Sequence, residues 1–259
     1  MVKLKKYNRF LKLFVIFLTL FSIFSCSTKK YNLTKIEGKQ IPVTEKSAQT
    51  PEIESFIKPY RDHINKDLDS ILAYCPETLD KSTGKWQTSI GCLMADVCLE
   101  RGNLVFKARE KKDIDLCFLN HGGIRAILPK GNVTTRSAFE IMPFENNLVV
   151  LALKGQQILE MTAYIIKEKK PHPLSGMTFT IAKDQTAKNI LIQGKPLDLD
   201  KVYYVATNDY LANGGDSMNF FQKNVQKFDL NYKLRNVLID YFKQVDTIPV
   251  PKNIRITEE

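Results

Sequence analysis

Between residues 52 and 74, apolar side chains return at intervals of three and four: Ile53, Phe56, Ile57, Tyr60, Ile64, Leu68, Ile71 and Leu72. That spacing keeps one face of a 3.6-residue helix apolar, so Glu52 to Tyr74 is expected as an amphipathic helix. Thr88 and Ser89 are suited to cap a second helix, running from Ile90 to Arg101 and carrying Ile90, Leu93, Met94 and Val97. A strand is expected at Ile114 to Leu119, a short helix or turn at Ser137 to Ile141, and a strand at "LVVLAL" (148–153). Helical spacing returns from Gly155 to Lys167, with Ile158, Leu159, Ile165 and Ile166 inward. "MTFTIA" (177–182) alternates as a strand, "NILIQGKPL" (189–197) reads as a hairpin, and "KVYYVATNDYLANGGDSMNFF" (201–221) as a strand entering a glycine-containing loop. A last helix is expected at Leu230 to Val245 and an extended piece at "IPVPKNIRI" (248–256). Helices and strands interleave, which places the chain in the mixed α/β (α+β) class.

The first 50 residues break this pattern. Lys3, Lys5, Lys6, Arg9 and Lys12 precede an apolar run from Leu13 to Phe24, which is short for a membrane span and right for the apolar region of an export signal. The run ends "IFSC", and Cys26 after small Ser25 resembles a bacterial lipobox, whose cysteine is lipidated and becomes the new N-terminus. Residues 1–25 are therefore expected to be a lipoprotein signal peptide, 26–50 a polar tether, and 51–259 one domain long enough for a full hydrophobic core. The location that follows is the bacterial cell envelope, lipid-anchored and facing the periplasm.

Charge and cysteine content narrow the chemistry. The formal net charge is +10, of which five cations belong to the signal, leaving about +5 scattered among acids. Such a balance gives no reason to expect nucleic-acid binding. Cys75, Cys92, Cys98 and Cys117 remain after Cys26; in one helix Cys92 and Cys98 would stand about 9 Å apart along the axis, too far for one bridge. Two disulfide pairings stay open, beside the alternative of four buried thiols.

Familiar catalytic signatures do not occur. The three histidines, His63, His121 and His172, have no metal-ligand spacing; "HGG" has no GxSxG elbow to serve; and neither GxGxxG nor GxxxxGKS is present. What stands out instead is two loops of similar style after strands, "NHGGIR" (120–125) and "NDYLANGGDS" (208–217), with "PFENN" (143–147) between them. Paired glycines let a backbone approach a ligand, and the Asn, Arg and Asp beside them offer directed hydrogen bonds. Phe144 and Tyr210 at strand-to-loop junctions could clamp a flat heterocycle, the alternative being core packing. Asp216 could accept from two ribose hydroxyls, and Arg125 could fork onto a phosphate or carboxylate.

In this order and spacing, "NHGGIR", "MPFENNLVVLALKGQQI" and "YYVATNDYLANGGDS" resemble the C-terminal domain of the 5′-nucleotidases, the family of the periplasmic UDP-sugar hydrolase and ecto-5′-nucleotidase, over roughly Tyr60 to Thr247. The resemblance implies a four-layer α/β/β/α domain that holds substrate, while a separate metallophosphoesterase domain carries two metals and performs hydrolysis. It implies Asn120 and Arg125 as polar contacts, Arg125 toward the phosphate, and Phe144 and Tyr210 as rings on either side of the base. Asp216 would take the ribose hydroxyls, and Asn208, Asn213, Gly214 and Gly215 would shape that loop. Three departures stand against the family pattern: Tyr210 replaces the usual Phe, His121 a usual Gly and able to crowd the site, and a phosphate-facing arginine is missing near Trp86, with only Lys85 beside it.

Nothing before residue 50 could supply the metal domain, so the expected function is nucleotide recognition in a split 5′-nucleotidase. This chain would hold no cofactor and no catalytic residue and be inactive alone, the divalent metals lying on a separately encoded metallophosphoesterase. The alternatives are a standalone nucleoside- or nucleotide-binding lipoprotein and a degenerate relative that binds nothing. Membrane attachment is expected through the lipid on Cys26: Cys26→Ser should move the protein from the membrane to the soluble fraction, and its retention in membranes would overturn the lipobox reading.

Overall fold

The computed structural model describes residues 2–23, 31–44, 47 and 50–259. The chain divides into two compact units, Met1–Pro51 and Glu52–Glu259. The first unit contains helix α1 (Val2–Ile23), and residues 31–44 run without helix or strand. Among the described residues no helix is long and apolar enough to cross a membrane. Cys26, the expected lipidation site, lies outside the described residues.

Helix α2 (Pro51–Leu68) starts at the unit boundary, and the second unit goes on with β1 (Ile71–Cys75), α3 (Ser89–Glu110), β2 (Leu116–Phe118), β3 (Gly131–Thr134), α4 (Thr135–Ile141), β4 (Asn147–Lys154) and α5 (Gly155–Glu168). There follow β5 (Leu174–Ser175), β6 (Met177–Ile181), β7 (Ala187–Ile192), β8 (Lys195–Pro196), β9 (Val202–Asn208), α6 (Asp209–Ala212), β10 (Gln226–Lys233), α7 (Leu234–Gln244) and β11 (Ile256–Glu258). A five-stranded sheet in the order β10-β4-β9-β2-β5 carries the molecule, with a four-stranded sheet β11-β6-β7-β8 and a two-stranded ribbon β1-β3. The mixed α/β class expected from the interleaved periodicities is what the chain adopts.

Strand β4 is apolar from Leu148 to Leu153 because both its faces are covered there. Leu148 and Val150 meet Leu93, Met94, Val97 and Phe106 of α3 and Val237, Leu238 and Phe242 of α7 in one core. Val149, Leu151 and Leu153 point the other way, into a second core with Ile158, Met161 and Ile165 of α5 and Met177, Phe179 and Ile181 of β6. The period-two alternation of side chains thus feeds two cores from one strand. Helix α3 starts where Thr88 caps it, its hydroxyl accepting from the Gly91 amide at 3.1 Å.

Three expectations need correction. The helix expected to reach Tyr74 ends at Leu68, and Ile71 and Leu72 belong to β1, which pairs antiparallel with β3 from Ile71↔Thr134 to Cys75↔Gly131. A partner sixty residues away decides that stretch, and helical spacing cannot register it. The apolar stripe of α2 is not inward either: Ile53, Phe56, Tyr60 and Ile64 are all exposed. The helix expected from Leu230 begins only at Leu234, because residues 226–233 form edge strand β10 on β4, with a bulge between Asp229 and Tyr232 and Asn231 in the left-handed region at φ 49°. Cys75, Cys92, Cys98 and Cys117 are buried free thiols.

Phe106 ties α3 to the sheet, its ring 5.3 Å from that of Tyr204 and 5.2 Å from that of Phe228, with no exposed surface. Phe106→Ala should lower unfolding stability by about 4 kcal/mol, read as a shift of the denaturant midpoint at unchanged slope; a loss below about 1 kcal/mol would mean that the ring is not a keystone of this core.

Candidate functional site

Strand direction brings the three sequence motifs together. β2 and β9 are parallel neighbours (Leu116↔Val205, Cys117↔Ala206), so the loops leaving their C-terminal ends emerge at the same edge of the sheet. β4 runs antiparallel to β9, with Leu148 opposite Asn208, so the segment entering β4 arrives at that edge too. "NHGGIR", "PFENN" and "NDYLANGGDS" therefore border one cavity of about 400 Å³, lined by Asn120, Gly122, Gly123, Arg125, Phe144, Asn146, Tyr210 and Asp216.

Each loop is held by its own sequence. After Asn120 the chain makes a single 3-10 turn, His121–Gly123, and the Arg125 amide donates to the Ile141 carbonyl at 2.9 Å. Gly123 packs closely there: a Cβ would stand 2.8 Å from Asn120 Oδ1 and push that carboxamide aside. Residues 143–146 are clamped from the β10–α7 junction, where Arg235 donates to the Pro143 carbonyl (3.3 Å) and pairs with the Glu145 carboxylate, Lys233 Nζ donates to the Glu145 carbonyl (2.6 Å), and the Leu234 amide to that of Asn146 (3.0 Å). In the third loop Asn208 is buried and caps α6, its Oδ1 accepting from the Leu211 amide at 2.8 Å. Asn213 and Gly214 then turn the chain, Gly214 at φ 89° and the Asn213 carbonyl taking a hydrogen bond from Gln222. Asp216 follows in the left-handed region at φ 51°, a conformation aspartate tolerates better than most residues.

The polar contacts converge on Asp216. Asn120 Nδ2 donates to its Oδ2 at 2.7 Å and the Tyr210 hydroxyl to its Oδ1 at 2.9 Å, while the Tyr164 hydroxyl of α5 donates to its backbone carbonyl at 2.8 Å. Burial raises the Tyr164 phenol to about 12, with Glu168, Asp216 and Tyr210 adding to the effect, so it remains a donor at any ordinary pH. Phe144 and Tyr210 are 42% and 47% exposed, so neither is packed in a core. The Tyr210 ring rests on Gly215, where a Cβ would fall 2.5 Å from the ring carbons. Arg125 is exposed, its guanidinium 6.0 Å from the Phe144 ring centre and in a long 3.4 Å hydrogen bond to the Gly122 carbonyl.

Asn120, Arg125, Phe144, Tyr210 and Asp216 are thus brought to one cavity, while Asn208, Asn213, Gly214 and Gly215 build the loop behind it. Two contributors were not singled out from sequence. Asn146 was visible within "PFENN", whereas nothing local marks Tyr164, which arrives from α5. His121 does not line the cavity; its ring is engaged by the Pro171 backbone, and its amide donates to His172 Nδ1. Lys85 does not stand in for a phosphate-facing cation, since its Nζ pairs with Glu258 at 2.7 Å. Lys81 stands beside the first loop, its Nζ donating to the Ile124 carbonyl at 2.5 Å.

The cavity's donor set does not fit a pair of divalent metals: it offers one carboxylate, two carboxamides and a guanidinium. Among the described residues no cluster of three or more His, Cys, Asp or Glu side chains could hold a metal ion.

The 5′-nucleotidase, C-terminal domain family matches residues 74–223, more than half of the chain, and the chain belongs to that family. The trifunctional nucleotide phosphoesterase protein YfkN of Bacillus subtilis is 24% identical over 242 residues, which cover 87% of this chain and 16% of that protein. Protein UshA of Yersinia enterocolitica is 26% identical over 196 residues, covering 72% of this chain and 34% of UshA. Among solved structures, the 5′-nucleotidase precursor from Thermus thermophilus superimposes with a TM-score of 0.67 at 22% identity, covering 79% of this chain and 42% of that one. NAD nucleotidase from Haemophilus influenzae superimposes at 0.62 and 16% identity, covering 81% and 42%. These superpositions show the fold, and the chain spans less than half the length of each of these relatives.

His172 lies behind the first loop, buried against Phe118 and Tyr164, with Nδ1 accepting the His121 amide at 3.2 Å. Burial, reinforced by His121 and Lys170, pushes its pKa down to about 4. An unfolded histidine titrates near 6.5, so between these values the unfolded chain binds a proton that the folded one refuses. Stability should therefore be unaffected above pH 6.5, fall as the pH drops from there to about 4, and level off below, a total of roughly 3 kcal/mol from this group. His121, also lowered by burial, adds in the same direction. Melting temperature against pH should show this slope and lose most of it in His172→Gln; an unchanged slope in the variant would assign the acid sensitivity elsewhere.

Proposed function

We propose that this domain binds a nucleoside monophosphate and positions it for hydrolysis by a metallophosphoesterase on a separate polypeptide. The observation that carries the reading is the cavity itself, where two half-exposed rings, a carboxylate and a guanidinium face one space large enough for such a ligand. Phe144 and Tyr210 would stack on the base, each contributing roughly 1–3 kcal/mol. Asp216 would accept from the ribose hydroxyls, Asn120 and Asn146 would order polar edges, and Arg125 would fork onto the phosphate. The partner's metals would activate water and stabilise the phosphoryl oxygens, while this chain's residues bind, orient and hold the substrate. Names among the relatives, such as 5′-nucleotidase and nucleotide phosphoesterase, support the ligand class.

A second reading is capture of an uncharged nucleoside without hydrolysis. It is favoured by a single observation: among the described residues Arg125 is the one cation lining the cavity, Lys85 being engaged by Glu258.

The two readings separate in a melting experiment. AMP at a hundred times its dissociation constant should stabilise the domain by about 2.7 kcal/mol, and Arg125→Ala should weaken AMP by roughly tenfold while leaving adenosine nearly unchanged. Equal affinity for adenosine and AMP would favour the second reading, and no shift with any nucleoside or nucleotide would overturn both. Hydrolysis is tested by mixing the domain with a metallophosphoesterase encoded beside it: AMP turnover should rise above that of the enzyme alone, and no gain would remove the hydrolytic role.

A further inference from the structure

Helix α2 buries none of its residues, whereas α3, α5 and α7 each press an apolar face into a core. Its apolar side chains are nonetheless in register. Ile53, Phe56, Tyr60 and Ile64 recur at intervals of three and four and form one stripe, about 17 Å long at 1.5 Å per residue. Each of the four is more than half exposed, and the Phe56 and Tyr60 rings stand 5.9 Å apart along the stripe. Contiguous apolar surface of this kind on a soluble domain marks a place where something docks.

The helix is poorly equipped to stand uncovered. Its 18 residues make a marginal helix in water, and Pro59 in its middle removes one hydrogen bond. It is held at its C-terminal end, where Arg136 of α4 donates to Asp69 Oδ1 (2.7 Å) and Asn65 Oδ1 (3.0 Å). Its charged side chains already have partners along the helix: Arg61 places both terminal guanidinium nitrogens on Glu54 (2.9 and 3.2 Å), and Lys58 pairs with Asp62 (2.7 Å). What α2 lacks is a cover for its apolar stripe.

Charge and position identify that cover. α2 carries three Lys and Arg against four Asp and Glu, whereas a helix that lies on an anionic membrane needs a basic polar face. An apolar groove on a protein suits this helix instead. The match to YfkN spans 87% of this chain, which leaves about 34 residues outside it and so includes α2. The family is that of a C-terminal domain, so in its longer members further chain precedes this domain and joins it through the segment that α2 occupies here. We propose that the apolar stripe of α2 is the docking surface for the separate metallophosphoesterase, which receives Phe56 and Tyr60 in an apolar groove and so replaces a covalent connection by a non-covalent one; this rests on the split-enzyme reading above. Because the charges of α2 are paired with one another, the contact is apolar and nearly insensitive to salt. None of the four stripe residues lines the ligand cavity, so docking and nucleotide binding are separate tasks of the chain.

The test measures binding of the full chain to the metallophosphoesterase encoded beside it, for wild type and for the double variant Phe56→Gln/Ile64→Gln. The variant should bind the enzyme roughly thirtyfold more weakly or worse, as loss of a central aromatic anchor entails. Its melting temperature and its affinity for AMP should stay at wild-type values, since no buried or cavity-lining residue is changed. The AMP turnover gained on mixing should fall at low concentrations of the variant and return when its concentration is raised. Raising salt from about 50 to about 500 mM should change the wild-type dissociation constant by less than about threefold. A complex that forms equally well with the variant, or that salt dissolves, would overturn the inference and leave the proposed function standing. So would a wild-type dimer that the variant breaks, or binding of a Cys26→Ser chain to phosphatidylglycerol vesicles that the variant abolishes, since a second copy or a lipid surface would then occupy the stripe. A variant that no longer folds would show the stripe to be covered within this chain, with the same result. No complex and no gain in AMP turnover with wild type would overturn the function proposed above and the inference with it.

Discussion

The parallel pairing of β2 with β9, two strands nearly ninety residues apart in the chain, is the constraint on which the site depends. It forces the loops after both strands to one edge of the sheet, and the antiparallel β4 between β9 and β10 adds its entry segment there. Were β2 reversed, Asn120 would leave at the opposite edge and could not reach Asp216. The pairing is short and is sustained by the cores on either side rather than by its own hydrogen bonds. Phe118 and Leu116 lie in the core that α5 closes, while Cys117 lies in the core that α3 and α7 close. Burial of this kind on both faces is what a parallel pair in a mixed sheet requires.

On that frame the loops are held with little slack. The Arg235–Glu145 pair and Lys233 tie residues 143–146 to the start of α7, Asn208 caps the helix that presents Tyr210, and Tyr164 pins the Asp216 carbonyl. Rigid placement matters more for a recognition site than the gross number of contacts, because a ligand bound by a preset surface does not have to order it.

Periodicity made much of the fold legible. Helix α5 and the β6–β7–β8 hairpin region lie close to where spacing and turn residues put them. The failures share a physical cause. Ile71 and Leu72 suit a helix face and a strand equally well, and pairing with β3 decides between them. Residues 226–233 are polar at alternate positions on an edge strand, so their apolar members merged with the helix that follows. The site was legible to the extent that it is built from loop residues with unusual types: glycine pairs, an arginine, and aromatics beside proline or aspartate. Tyr164 was not, because its role exists only once α5 has packed on the sheet. Asn208 shows the converse: its polar side chain serves a cap, which the chain order alone does not distinguish from a ligand contact.

The Asn120–Asp216 hydrogen bond joins the first loop to the third. Neither loop is then an independent cassette that a lineage could replace while keeping the other. An aspartate arriving at 120 would set two carboxylates against each other, and a lysine at 216 would face a carboxamide's donors. Divergence at these two positions has to proceed in step, so pockets of altered preference on this scaffold should arise from paired exchanges across ninety-six positions of chain rather than from drift within either loop.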